Sequence, residues 1–317
     1  MKYLVTGCAG FIGSHVSQRL LNEGHQVVGV DNLNNYYDTR IKGDNVAELL
    51  VNDNFVFYKI DITNFTKLTD IFDKEGIDKI IHLAARAGVR HSIEDPRLYT
   101  LANVNGTVNL LELAQLYNVK NFVFASSSSV YGERNDVPFH EDDEIKPISP
   151  YAATKKAGEL LGYTYHTLYG FNFTALRFFN VYGPKARPDQ ATYKFIKAMM
   201  NNDTITVYGD GSSLRDYTFV HDIVRGILSA ADKDLGYEVI NLGGSSPVKL
   251  MDFIKTFEKV IGKQAKRQHI GEQAGDVSKT YADTAKAKRL LDWETKTNLE
   301  QGLTETYKYF KEKNNWY

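Results

Sequence analysis

An α/β chain with a doubly wound parallel sheet and a smaller second lobe is the fold class this sequence predicts, and three observations carry the prediction. Short apolar, β-branched runs alternate with amphipathic stretches of helical length from residue 2 to about residue 180. A glycine-rich turn, Gly7-Cys8-Ala9-Gly10-Phe11-Ile12-Gly13, stands where the first run gives way to the first helix. Beyond Gly183 the rhythm breaks into shorter pieces, marked by turn signals such as Gly209-Asp210-Gly211 and Gly243-Gly244-Ser245-Ser246-Pro247.

Strands are expected at 3–6, 26–30, 55–59, 79–83, 122–125 and 173–178, with helices between them. One helix is expected over 97–117, behind Asp95-Pro96, a capping carboxylate followed by a proline suited to the first helical position. Another follows Ser149-Pro150 and runs toward Gly170. Two such long helices often pair with their copies in a second subunit of this fold, so a homodimer is expected, although their apolar faces would equally cover the sheet. The run 237–241 still reads as a strand and is expected to rejoin the main sheet. Residues 1–180 then form one domain and 181–317 most of a second, partly discontinuous lobe.

With 317 residues, the chain can bury roughly three quarters of its unfolded surface without staples. Its 43% hydrophobic and 24% charged residues, at a net charge of -1, are ordinary for a globular protein and argue against a nucleic-acid partner. Cys8 is the only cysteine, and no Cys/His cluster has metal-ligand spacing, so no metal is expected and a reducing compartment fits. Lys2 is followed at once by a strand-like run, and no apolar segment approaches the ~18 residues of a membrane span. A cytoplasmic protein without a targeting peptide or membrane partner is expected.

The glycine turn predicts a dinucleotide site of Rossmann type. Gly7, Gly10 and Gly13 let a pyrophosphate approach the backbone amides at Phe11, Ile12 and Gly13, where a helix N-terminus favours negative charge. A glycine-rich turn alone can be mere turn chemistry. Asp31, however, ends the second strand 18 residues after Gly13, where a carboxylate can hold both ribose hydroxyls. Asn32 follows instead of an arginine, so a 2'-phosphate would meet repulsion, and NAD is favoured over NADP. Asp61-Ile62 and Leu83-Ala84-Ala85 follow the third and fourth strands, placed to touch adenine and the middle of the cofactor. Helix capping and close packing are their bland readings.

The chemical candidate is Ser149-Pro150-Tyr151-Ala152-Ala153-Thr154-Lys155, which puts a phenol and an ammonium one helical turn apart on one face. Tyrosine titrates near pH ~10, so it can act as a base at neutral pH only if the phenolate is stabilised. Lys155, the helix dipole and a bound nicotinamide cation would all push that way. The same Tyr-x-x-x-Lys spacing recurs at Tyr193/Lys197, Tyr307/Lys311 and Tyr309/Lys313, so spacing alone carries little. Only the first pair follows a serine run, Ser126-Ser127-Ser128-Ser129, at a strand end.

The chain resembles the extended short-chain dehydrogenases/reductases of the nucleotide-sugar epimerase and dehydratase group over nearly its whole length. The resemblance rests on Thr6-Gly7 through Gly13, His82-Leu83-Ala84-Ala85, Ser126 through Gly132, Tyr151 through Lys155, Arg177-Phe178-Phe179-Asn180-Val181-Tyr182-Gly183-Pro184 and Leu214-Arg215-Asp216-Tyr217. Residues 31–38, Ala87-Gly88-Val89-Arg90 and Arg187-Pro188-Asp189 are similar to the UDP-glucuronate 4-epimerases within that group.

What the resemblance implies is a 4-epimerase. Tyr151 would take the sugar 4-OH proton while C4 passes hydride to NAD, and hydride would return to the other face of the 4-ketose. By register the hydroxyl sharing the 4-OH is Ser127, with Ser128 second. The group's 4,6-dehydratases place Asp-Glu at positions 128 and 129, and its decarboxylases a Glu at the second; Ser128 and Ser129 argue against both. Asn103 and Phe178 are further cofactor-side candidates. For the nucleotide, Asn180, Arg215, Arg187 and Lys194 would meet pyrophosphate, Asp276 the uridine ribose and Tyr208 the base. Two residues blur the substrate: Asn180 is typical of epimerases for UDP-glucose and UDP-N-acetylglucosamine, and the small Thr280 leaves room for an N-acetyl group. Arg86 and Arg90 could instead meet a C6 carboxylate, which ranks UDP-glucuronate first. His221 and Asp222 are read as helix-capping residues with no chemistry.

Overall fold

The computed structural model describes residues 1–271 and 277–313. The alternating first part builds β1 (Lys2–Thr6), α1 (Phe11–Asn22), β2 (Gln26–Asp31), α2 (Thr39–Leu50), β3 (Phe55–Lys59), α3 (Phe65–Glu75) and β4 (Lys79–His82). It continues through α4 (Val89–Glu94), α5 (Pro96–Thr100), α6 (Gly106–Leu116), β5 (Asn121–Ser127), α7 (Pro150–Tyr169) and β6 (Asn172–Phe178). Strand interiors such as Leu4-Val5 and Ile80-Ile81 are wholly buried, as a parallel sheet covered on both faces requires.

The less regular part gives β7 (Val181–Tyr182), α8 (Ala191–Asn201), β8 (Thr204–Tyr208), β9 (Leu214–Arg215), β10 (Thr218–Phe219) and α9 (Val220–Asp232). It ends with β11 (Tyr237–Leu242), β12 (Val248–Lys249), α10 (Leu250–Ile261), β13 (Lys266–Ile270), α11 (Ala285–Leu291) and α12 (Leu299–Glu312). The main sheet has the order β11-β6-β5-β4-β1-β2-β3, all parallel. The strand at 237–241 thus rejoins it, pairing with β6 along its length. Successive strands move outward in opposite directions from β1 and β4, so a crevice opens between those two at their carboxyl ends.

Packing covers both faces. Val16 and Leu20 of α1 and Ile223 and Ile227 of α9 close one face against Val5, Ile81 and Val123. Leu68 and Phe72 of α3 and Leu110 of α6 close the other against Val28, Ile80 and Phe122. A third cluster, around Phe195, Phe253, Phe257 and Leu303, is the core of the smaller lobe.

Two expectations change. The strand read at 122–125 extends to Ser127, because Ser126 and Ser127 pair with Arg177 and Phe178 on β6. The helix read at 97–117 does start at the Asp95 cap, whose carboxylate accepts from Leu98 N at 3.1 Å, but it widens into a π-type turn at Leu101–Asn105 before α6. The widened turn accommodates Asn103, whose amide is pulled toward the backbone of Arg86.

Candidate active site

A cavity of about 470 Å³ opens at the carboxyl ends of the strands, where the glycine turn, the serine run and the start of α7 converge. The glycines are required by contact as much as by conformation. Gly7 has φ +74°, and a Cβ there would stand 2.8 Å from the Ala84 nitrogen. A Cβ on Gly13 would stand 2.0 Å from the Gly7 carbonyl oxygen. Gly10 starts α1 without a side-chain cap, which leaves the first-turn amides to a ligand.

Asp31 ends β2, buried, and accepts from Leu33 N at 2.8 Å. Burial pushes its carboxyl up, opposed by the ammonium of Lys42, itself buried and bonded to Asn34. Asn32 donates to Asp61 at 2.6 Å, and Asp61 also takes the amide and hydroxyl of Thr63. Burial works against the Asp61 anion, but these bonds hold its pKa below the ordinary value. Ile62, Leu83, Ala84, Ala85 and Phe178 line the same space, with Ala84 N tied to the Thr6 hydroxyl at 3.2 Å. This cradle can take a pyrophosphate on the α1 amides and a ribose diol on Asp31. Asn103 is different: it holds Arg86 from both sides and donates to Thr154 Oγ1 at 3.0 Å, and it does not line the cavity.

Ser149 caps α7 through Ala152 N at 3.2 Å and Pro150 occupies the first turn, so Tyr151 enters the cavity wall from a fixed backbone. Burial raises the Tyr151 pKa, while the adjacent Ser127 hydroxyl and then the Arg187 guanidinium lower it. Both Ser126 and Ser127 border the cavity; strand alternation turns the Ser126 hydroxyl back to Glu159, at 2.6 Å, and leaves the Ser127 hydroxyl 2.5 Å from Ser129 Oγ. Ser128 also lines the space. Lys155 Nζ donates to the Ala125 carbonyl at 2.6 Å and lies 6.0 Å from the centre of the Tyr151 ring. Burial brings its pKa down to about 7. Arg187, expected to meet phosphate, also lies near enough for its charge to favour the ionised phenol, less than the Ser127 hydroxyl does and against the larger effect of burial.

The far wall comes from the smaller lobe. Asn180 adopts φ +24°, and its Oδ1 accepts from Thr280 Oγ1 at 3.2 Å. Thr280 in turn accepts from Asp216 N at 3.1 Å. Arg187 makes a two-point bond to Asp189, both contacts at 2.9 Å. Arg215 is held by the carbonyls of Leu214 and Ser278 at 3.0 and 3.2 Å. All four side chains of Asn180, Arg187, Arg215 and Thr280 line the cavity.

Three expected contacts do not reach it among the described residues. The Arg90 guanidinium stacks 4.8 Å over the Tyr208 ring, so these two face each other across the lobes, and Lys194 stays on α8 away from the wall. Asp276 falls outside the described residues. Conversely, Lys42, Tyr36 and Tyr37 do line the space. The Tyr36 and Tyr99 phenols both donate to the Ala87 carbonyl, at 2.9 and 2.7 Å. The run of Asx turns through Asp31, Asn32 and Asn34 was the available signal for that loop. The capping role expected of His221 and Asp222 is not what they do: α9 begins behind Phe219 without a side-chain cap, Asp222 clamps a loop by accepting from the amides of Lys296 and Thr297 and from Arg225, and His221 lies 3.4 Å from Glu305. Among the described residues no His, Cys, Asp and Glu groups assemble as a metal site.

The profile of the GDP-mannose 4,6 dehydratase family matches residues 4–306. A UDP-glucuronate 4-epimerase of Thermodesulfobacterium geofontis is 50% identical over 312 residues, which is 98% of this chain and 96% of that protein. The crystal structure of the Bacillus cereus UDP-glucuronic acid 4-epimerase with UDP-glucuronic acid and NAD superposes with a TM-score of 0.91 at 39% identity, covering 98% of this chain and 99% of that one. The Thermotoga maritima UDP-glucose 4-epimerase with UDP-glucose does so at 0.91 and 35%, with the same coverage. The chain belongs to the GDP-mannose 4,6 dehydratase family, within the extended short-chain dehydrogenases/reductases.

Proposed function

We propose that this chain is an NAD-dependent UDP-sugar 4-epimerase, an isomerase that inverts C4, with UDP-glucuronate and UDP-galacturonate as its substrates. The observation that carries the reading is one cavity in which Tyr151, Ser127, Lys155 and Arg187 stand at the end of the glycine-turn cradle. NAD, when bound, would supply the reversible hydride acceptor. The 4-hydroxyl would sit between Ser127 and Tyr151, Tyr151 would take its proton, and Lys155 would pass that proton on. The Ser127 hydroxyl and, less strongly, the Arg187 guanidinium offset part of the cost of burying the phenolate.

The glucuronate preference is supported by the glucuronate epimerase relatives and by Arg86 and Arg187, two cations in the wall of the same cavity. UDP-glucose and UDP-N-acetylglucosamine are the alternatives that Asn180 and Thr280 keep in play. Ser128 and Ser129 carry no proton-transfer group for dehydration or decarboxylation. Residues 1–180 serve the cofactor and most of 181–317 the nucleotide sugar. A homodimer through α6 and α7 is supported by the exposed Leu116, Leu160, Tyr163 and Leu168. No helix of the described residues is long and apolar enough to cross a membrane. A cytoplasmic site of action, without nucleic acid or membrane partners, completes the proposal.

The test is parallel incubation with UDP-glucuronate, UDP-glucose and UDP-N-acetylglucosamine, following the anomeric and H4 proton signals. C4 inversion of UDP-glucuronate is expected, and Tyr151→Phe should lose about a thousandfold in turnover while still holding NAD. A 4-keto-6-deoxy sugar or a UDP-pentose as the product, or full turnover in that variant, would overturn the reading.

A further inference from the structure

Behind the cavity lies a cluster of ionised side chains that no binding or proton-transfer step uses. Glu159 of α7 is fully buried and Arg177 of β6 is 1% exposed. Glu159 Oε1 accepts from Arg177 Nε at 2.8 Å and from Ser126 Oγ at 2.6 Å, while Oε2 accepts from Arg177 Nη2 at 2.9 Å and Lys156 Nζ at 3.1 Å. Arg177 Nη1 reaches the Tyr131 hydroxyl at 2.9 Å and the Glu141 carbonyl at 3.2 Å. The Tyr131 hydroxyl then donates to Asn241 Oδ1 of β11 at 2.7 Å.

Burying such a pair is expensive, and well-packed apolar side chains of similar volume often stabilise a core as well or better. Stability by itself therefore gives no reason for ions here. The geometry does. Glu159 follows Tyr151 by eight residues and Lys155 by four, which puts all three on one face of α7. Register places Arg177 opposite Ser126 and Phe178 opposite Ser127. The carboxylate thus ties the helix carrying the phenol and ammonium to the strand end carrying Ser127. The guanidinium, from the neighbouring strand β6, ties that carboxylate to Tyr131, at the close of the short turn Ser128–Tyr131 that follows Ser127. Tyr151 and Ser127 come from different elements, and the reaction needs their two oxygens on one substrate hydroxyl.

We propose that Glu159 and Arg177 are positioning residues that set the approach of Ser127 to Tyr151. The role rests on the epimerase reading above. Glu159 and Arg177 act only through Ser126, Tyr131 and the backbone of α7, and neither touches substrate.

Two holoenzyme variants test it, Glu159→Leu/Arg177→Met and Ser126→Ala. The double variant keeps the volume and removes the directional bonds, and the single variant removes one bond and leaves the ions paired. The readouts are kcat and KM for the UDP-sugar, thermal midpoint, and Tyr151 ionisation, taken as the tyrosinate absorbance lost on adding Tyr151→Phe. The double variant is expected to keep the wild-type midpoint and KM, lose about tenfold or more in kcat, and titrate Tyr151 at higher pH because the Ser127 bond is weakened. Ser126→Ala should shift the same two quantities in the same direction by less. Wild-type kcat and wild-type Tyr151 titration in either folded variant overturn the positioning role. Should the double variant fail to fold, Ser126→Ala decides. Should the wild type turn over no UDP-sugar, the epimerase reading falls while the Tyr151 titration still judges the positioning.

Discussion

The two walls of the cavity are built on opposite plans. The cofactor wall stands on the ends of β1, β2, β4 and β5, inside a seven-stranded sheet, and its glycines leave no room for a methyl group. The wall from the smaller lobe, proposed to meet the nucleotide sugar, takes residues from the two-residue strands β7 and β9, which pair with the equally short β10 and β12. There Asp216 Oδ2 accepts from Ala282 N and Ser245 N at 2.9 and 3.3 Å, and Thr280 links Asp216 to Asn180. A long backbone ladder fixes the first wall, while in the second short backbone pairings, such as Thr280 N to the Leu214 carbonyl at 3.0 Å, are supplemented by single carboxylates and hydroxyls. On the reading proposed above, the nucleotide sugar would lie against the wall where individual side chains add most to the geometry.

The contrast can be broken by substitutions that should affect one wall and spare the other. The largest effect is expected for Gly13→Ala, whose Cβ would collide with the Gly7 carbonyl oxygen 2.0 Å away. NAD affinity should fall by about a hundredfold or more, measured by cofactor retained after gel filtration and by titration calorimetry. Retention of NAD at wild-type level would show that the turn relaxes and that the first wall is less rigid than its contacts imply. A smaller, opposite result is expected for Asp216→Asn. Its loss of amide bonds should raise KM for the UDP-sugar by about tenfold with NAD affinity unchanged. An equal loss of both affinities would mean that the walls are not separable.

The smallest effect sharpens the comparison through pH. His82, at the end of β4, lies between the hydroxyls of Thr6 and Thr107, and burial, then the charge of Lys155, pushes its pKa down to about 3. Between pH 6.5 and 3 the unfolded chain binds the proton that folded His82 refuses. Its stability contribution is complete above pH 6.5 and is lost on acidification, at up to about 1.4 kcal/mol per pH unit. Asp216 has the opposite sign. Burial raises it to about 6, against the bonds from Ala282 and its neighbours, so the folded state holds the extra proton and stability declines as pH rises from 3.8 toward 6. Removing Asp216 should therefore steepen the acid loss. Thermal midpoints of wild type and Asp216→Asn between pH 4 and 7 measure this, and parallel curves would refute it.

Much of this architecture was legible in order along the chain. β1, β2, β3, β4 and β6 fall within a residue of the expected runs, because a buried parallel strand writes itself as a short β-branched stretch. The Ser149 cap, Pro150 and the Gly170 end of α7 are equally local, and they seat Tyr151 and Lys155 as expected. The π-type turn at Leu101–Asn105 was hidden, since its residues are ordinary helix formers with no glycine or proline to mark the widening, and what draws Asn103 aside is the distant Arg86 backbone.

By itself the sequence determined the sheet, the glycine cradle, Asp31, and the helix that presents a phenol and an ammonium, all set by hydrogen-bond patterns and sterics within a few residues. Only the tertiary structure decided which charge meets which group: Arg187 with Asp189 in the cavity wall, Lys155 with the Ala125 carbonyl, Arg90 with Tyr208, and Glu159 with Arg177 and Ser126. The reason is that electrostatic partnership depends on distance and burial, which packing sets between residues far apart in the chain.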